Sequence, residues 1–127
     1  MKVMKTEILD LFQRWNNALQ TGDPELVSTL YAQDAILLPT ISNVVRHNHQ
    51  EIEDYFDIFL QRNPVGTIDE YNIRIIGNIA INSGIYSFSF IDTSVVQARF
   101  TFVYRWDGNQ WLIIEHHSSS IPEQSEI

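Results

Sequence analysis

Apolar residues return at three- and four-residue steps through the first twenty positions: Ile8, Leu11, Phe12, Trp15, Ala18 and Leu19. That spacing lays one stripe along a helix. Thr6 is a candidate N-cap for it. "TGDP" closes it: Gly22 suits the C-terminal cap, Asp23 caps a second short helix, and Pro24 fits that helix's first position. Leu26, Val27, Leu30 and Tyr31 form the apolar side of this second helix. "DAILLPT" follows as a short strand that Pro39 bends or places at an edge. "ISNVVRHNHQ" reads as a turn and a brief strand. A third helix is predicted over about Gln50 to Gln61, with Ile52, Tyr55, Phe56, Phe59 and Leu60 inward and Asn63-Pro64 as its stop. From there the period changes to two. "TIDEYNIRIIG", "NIAINSGIYSFSFID", "ARFTFVYRW" and "QWLIIEHHSSS" predict four longer strands, the first with a shift near its end.

Helices grouped ahead of an antiparallel meander predict an α+β domain. A strongly curved sheet wrapped over the long first helix leaves a cone-shaped internal pocket. The expected extent is one domain over residues 1–127, with an ordered core of about 6–121 and a polar tail over 122–127.

The last two strands carry the most distinctive chemistry. Asp107-Gly108 predicts a tight turn between them. Alternation puts Arg99, Thr101, Val103 and Arg105 on one face and Phe100, Phe102 and Tyr104 on the other. His116 and His117 must point in opposite directions. A two-residue turn pairs Arg99 with His116, whereas a five-residue loop pairs Arg99 with His117 and Thr101 with Glu115. Both remain open at this stage. Arg99 either grips an anion from within the pocket, with Thr101, a histidine and Ser118 as hydrogen-bonding neighbours, or pairs with Glu115 or with an acidic group across a subunit interface.

Composition narrows the classes. The chain has 127 residues, 44% of them hydrophobic, with a net charge of −8 and no cysteine. Such a chain can build a core. Its acidity disfavours nucleic acid and anionic lipid as partners. Thiolate chemistry and disulfides are excluded. The opening residues lack a signal-peptide run and no segment is long enough to span a membrane, so the expected location is the cytoplasm. His116 and His117 cannot both reach one ion from a regular strand. His47 and His49 can share a face but fall in a loop, so no metal site is expected. General acid–base chemistry has His116, His117, Glu115 and Asp34 as candidates, with Asp54 expected to face water. Thr40, Ser42, Asn43 and Arg46 form a polar loop beside Pro39, read either as turn chemistry or as a rim to the cavity.

"RWNNALQTGDPELVSTLYAQDAILLPT", "EIEDYFDIFL", "SGIYSFSF" and "ARFTFVYRWDGNQWLIIEHHSS" together resemble the SnoaL-like branch of the NTF2-like superfamily. They are most similar to bacterial proteins related to the association (hub) domain of calcium/calmodulin-dependent protein kinase II. The resemblance runs from about Thr6 to Glu123. It implies an NTF2-like (cystatin-like) cone, a deep pocket for a small anionic or apolar molecule, and assembly through the outer face of the sheet. It implies a homodimer or a higher homo-oligomer. The kinase hub lines its pocket with several arginines and a histidine from the third helix. Here those positions hold residues such as Ile52, Tyr86 and Thr101. The expected function is a self-associating, small-ligand-binding domain whose pocket is lined by Trp15, Tyr55, Tyr86, Arg99, Thr101, His116 or His117, and Ser118. Arg99 would anchor a carboxylate. The alternative is an isomerase, dehydratase or hydrolase acting through a pocket histidine or carboxylate. Neither reading calls for a cofactor.

Overall fold

The computed structural model describes residues 3–122. The stripe of the first segment becomes α1 (Lys5–Gln20), which buries Ile8, Phe12, Trp15, Ala18 and Leu19. It starts one residue before Thr6, which therefore sits in the first turn. The cap position is Met4, whose backbone N–H reaches Glu7 Oε1 at 3.3 Å. Gly22 closes the helix at φ +74°, and its N–H returns to the Leu19 carbonyl. Asp23 Oδ1 then accepts from Glu25 N–H at 3.0 Å, opening α2 (Pro24–Ser28) as predicted.

The remaining elements are β1 (Tyr31–Leu38), α3 (His49–Phe59), β2 (Val65–Ile76), β3 (Ile79–Ser89), β4 (Val95–Trp106) and β5 (Trp111–Ser120). A 3-10 turn over Leu60–Arg62 extends α3 until Asn63 turns left-handed at φ 49°. The five strands form one sheet in the order β1-β5-β4-β3-β2. Three pairings are antiparallel, but β1 runs parallel to β5, so the sheet is mixed and not wholly antiparallel. The brief strand expected in "ISNVVRHNHQ" is reduced to a single bridge between Leu37 and Arg46. The polar tail falls almost wholly outside the described residues.

Two irregularities set which side chains face inward. One is in β2, where Asp69 is the extra residue between the Ile68–Tyr86 and Glu70–Ile85 pairs, well before the strand end at which a shift was expected. Across from this bulge lies Gly84. A Cβ there would collide with the Glu70 carbonyl, so the close approach of the two backbones requires glycine. The other is in β5, where Ile114 is passed over between the Tyr104–Ile113 and Val103–Glu115 pairs.

The core is built on aromatic rings from α1, α3 and one face of the sheet. Trp15 lies at its centre, with ring centroids of Phe12, Phe56, Tyr86, Phe88 and Phe102 between 5.4 and 6.4 Å away. Asn16, also buried, fastens α1 to the edge strand β2. Its side-chain N–H donates to the Gly66 carbonyl at 3.0 Å, and its Oδ1 accepts from Gly66 N–H at 2.8 Å. Edge backbone groups that have no neighbouring strand are thereby satisfied.

Candidate functional site

The cavity opens between α1, α3 and the inner face of the sheet; its enclosed volume is small, about 70 Å³, within a void of about 560 Å³ that includes the open mouth. Trp15, Phe56 and Phe59 form its helical wall, and Tyr86, Phe88 and Ala98 its sheet wall. Pro39, Thr40 and Ile41 follow β1 at the mouth, opposite Arg62 and Phe90. The lining is strongly apolar, with a few convergent polar groups, the form small-molecule sites take.

The polar groups form one connected series along the wall. Trp15 Nε1–H donates to Tyr31 Oη at 3.1 Å, and Tyr31 Oη lies 2.8 Å from His116 Nδ1. His116 Nε2 lies 3.2 Å from Tyr86 Oη. Tyr86 donates to Ser118 Oγ at 2.7 Å, and Thr40 donates to the same oxygen at 2.5 Å. The His116 ring also stacks on Phe102, with centroids 4.1 Å apart. Burial drives its pKa from the usual 6.5 down to about 3, with the charge of neighbouring His117 adding in the same direction. At neutral pH this ring is an uncharged hydrogen-bonding group. Burial likewise raises the Tyr31 and Tyr86 phenols well above their ordinary value, so both stay protonated.

Five of the expected lining residues come together here: Trp15, Tyr55, Tyr86, His116 and Ser118. Three do not. Arg99, Thr101 and His117 lie on the opposite, outer face, where they share an open depression with Glu70, Ser83 and Ser119. Neither predicted register is formed. The loop has four residues, because Asp107 Oδ1 accepts from both Asn109 and Gln110 N–H at 2.8 Å and pairs Trp106 with Trp111. The Ile114 bulge then adds one more step, so Arg99 faces Ser119 and Thr101 faces His117. The deciding energy is apolar. Burying Phe100, Phe102 and Tyr104 is worth about 2 kcal/mol apiece, whereas turning the Arg99 face inward would desolvate a guanidinium. Arg99 is exposed and, among the described residues, forms no ion pair with Glu115 or any other carboxylate.

The carboxylate candidates are also remote from the cavity. Asp34 sits 3.5 Å from Arg105 on the surface, and Glu115 is exposed on the outer face. Among the described residues no Asp or Glu lines the pocket, and no three His, Asp or Glu side chains cluster as metal ligands. Among the described residues no helix is long and apolar enough to cross a membrane.

The positive charge at the mouth comes from Arg62, which sequence reasoning did not single out, with Arg46 of the expected rim close by over Tyr55. The Arg62 guanidinium stands 3.8 Å over the Phe90 ring centroid, and Arg46 stands 5.4 Å from that of Tyr55. Tyr55 is half-buried; burial lifts its phenol to about 12 against the lowering effect of Arg46 and Arg62. Arg62 sits within "FLQRNP" and reads from sequence as a basic residue in a last helical turn.

The family model described as the calcium/calmodulin dependent protein kinase II association domain matches residues 4–122. The chain belongs to the calcium/calmodulin-dependent protein kinase II association domain family. Among solved structures, a Xanthomonas campestris protein described as such an association domain is 44% identical, with a TM-score of 0.92 over 97% of this chain and 91% of that one. The fold extends to more distant proteins. An NTF2-like protein of Pseudomonas putida superposes with a TM-score of 0.81 at 20% identity, over 94% of this chain and 88% of that one. The hub homology domain of Chlamydomonas reinhardtii gives 0.75 at 17%, over 93% and 98%. No match was found among curated proteins. The association-domain fold is thus an NTF2-like, cystatin-like α+β cone, as the sequence implied.

Proposed function

We propose that this chain is a self-associating domain that shelters one small, largely apolar molecule in the pocket beneath its sheet. The observation that carries the ligand half is the lining itself: aromatic walls, a connected polar series ending at Thr40 and Ser118, and a guanidinium at the mouth. The cation in the pocket lining is Arg62 at the rim, because Arg99 faces the other way. The assembly half is supported by the family's designation as an association domain and by the outer face. That face presents Arg99, His117 and Glu70 around an open depression, a mixture of charges that a second copy can complement. Proton abstraction at this site is not favoured, since both nitrogens of His116 are engaged and its basicity is suppressed.

Sedimentation combined with thermal-shift screening of small aromatic compounds tests both halves. The expected result is a particle of at least two chains whose melting temperature rises with ligand. A hundredfold ligand excess over Kd adds about 2.7 kcal/mol. A monomer at every concentration removes the assembly half, and indifference to every compound removes the pocket half.

A further inference from the structure

The hydrogen-bond series on the pocket wall has a direction, and that direction leaves one hydrogen unspent at the pocket end. Trp15 Nε1 is a donor only, and it fills one acceptor position on Tyr31 Oη. Tyr31 is buried, so its own hydrogen needs an acceptor. Among the described residues the acceptor in reach is His116 Nδ1 at 2.8 Å. Nδ1 therefore carries the lone pair, and the neutral ring holds its proton on Nε2. That proton points to Tyr86 Oη at 3.2 Å. Tyr86 passes its hydrogen on to Ser118 Oγ, which also receives the hydrogen of Thr40. Ser118 Oγ accepts twice, and its own hydrogen finds no acceptor among the described residues. If Thr40 and Ser118 exchange roles, the spare hydrogen is Thr40's, on the same lining.

The reverse direction is disfavoured at the buried end. It would aim both Trp15 N–H and a His116 Nδ1–H at Tyr31 Oη, and strand the Tyr31 hydrogen in the core. The polarity seen by a ligand is thus set by an indole at the far end of the series.

We infer that the Thr40–Ser118 pair donates to a neutral hydrogen-bond acceptor, so that the pocket selects small apolar molecules bearing a neutral oxygen acceptor, such as aryl ketones, esters or alcohols. This rests on the reading of the cavity as a ligand pocket. A hydroxyl-bearing ligand can take the same hydrogen and return its own to Thr40 Oγ1, which lines the pocket and accepts from no described residue. A carboxylate fits less well: the guanidinium in the lining, Arg62, lies over the Phe90 ring and bonds to none of the series, so the charge would be desolvated against one hydroxyl.

The test compares four molecules of similar shape on the wild-type protein by NMR titration: acetophenone, 1-phenylethanol, ethylbenzene and benzoate. Acetophenone and 1-phenylethanol are each expected to bind about three- to tenfold more tightly than ethylbenzene and benzoate, the worth of one hydrogen bond. The Thr40→Val, Ser118→Ala double variant should bring acetophenone down to ethylbenzene and leave ethylbenzene within about twofold. Long-range proton–nitrogen correlation on His116 supplies a reading that needs no variant, and should show Nε2 protonated and Nδ1 bare. Equal affinity for ketone and hydrocarbon, tighter benzoate, or a proton on Nδ1 would each overturn the inference while leaving the pocket in place. Binding by none of the four overturns the pocket and this inference with it.

Discussion

Acid should unfold this protein through one imidazole. The His116 ring lies between Tyr31, Tyr86, Trp15 and Phe102, and no carboxylate among the described residues is bonded to it. Its pKa is about 3 in the folded chain against 6.5 ordinarily. Above pH 6.5 the ring is neutral in both states and folding is indifferent to pH. Between 6.5 and about 3 the unfolded chain takes up a proton that the folded chain refuses, so stability falls as pH falls. One such group removes about 2 kcal/mol by pH 5 and about 4 kcal/mol by pH 3. Urea denaturation at pH 7.5 and 5, at one fixed protein concentration, measures it on the wild type and on His116→Gln. Glutamine keeps a donor and an acceptor but never charges. The remaining titrating groups are common to both chains and cancel in the difference. The wild type should lose about 2 kcal/mol more than the variant over this range. Parallel pH dependences would refute the burial argument, and so would a His116 ring that titrates near 6.5 in the folded protein by NMR.

Three other outcomes follow from particular contacts. Asn16→Leu strands the Gly66 N–H and carbonyl at the sheet edge, and should cost about 3 kcal/mol by urea denaturation. Gly84→Ala drives a methyl into the Glu70 carbonyl, and should lower stability by about 2 kcal/mol, whereas alanine at Gly108, which has open space around it, is limited to the milder strain of φ +100°. Arg99→Glu should leave affinity for pocket ligands within about twofold. If the outer face mediates association, the same variant lowers the particle mass in sedimentation.

Local features were the most legible in sequence. Gly22, Asp23 and Pro24 marked the break between α1 and α2 because each has a backbone preference that acts within a few residues. The stripes through Trp15 and Phe56 located the core for the same reason. Alternation correctly separated Arg99 from Phe100, but it does not say which face of a strand turns inward. That choice followed the larger apolar gain. The pairing of His116 was hidden for a different reason. It depends on a four-residue loop and on a bulge at Ile114, and nothing in the types of neighbouring residues announces a bulge there. The parallel contact of β1 with β5 joins segments some eighty residues apart, which periodicity cannot see. Arg62 was passed over because a basic residue at a helix end has an ordinary local explanation. Its place at the mouth exists only once Phe90 and α3 have been brought together.

The central claim is that small molecules bind in the hollow under the sheet and not on the charged outer face. The side-chain N–H signals of Trp15 and Arg99 report on those two places within one proton–nitrogen spectrum. Titration with acetophenone should move the Trp15 indole signal to saturation and leave the Arg99 Nε–H signal where it stands. Saturable movement at Arg99 with a stationary Trp15 indole would contradict the account.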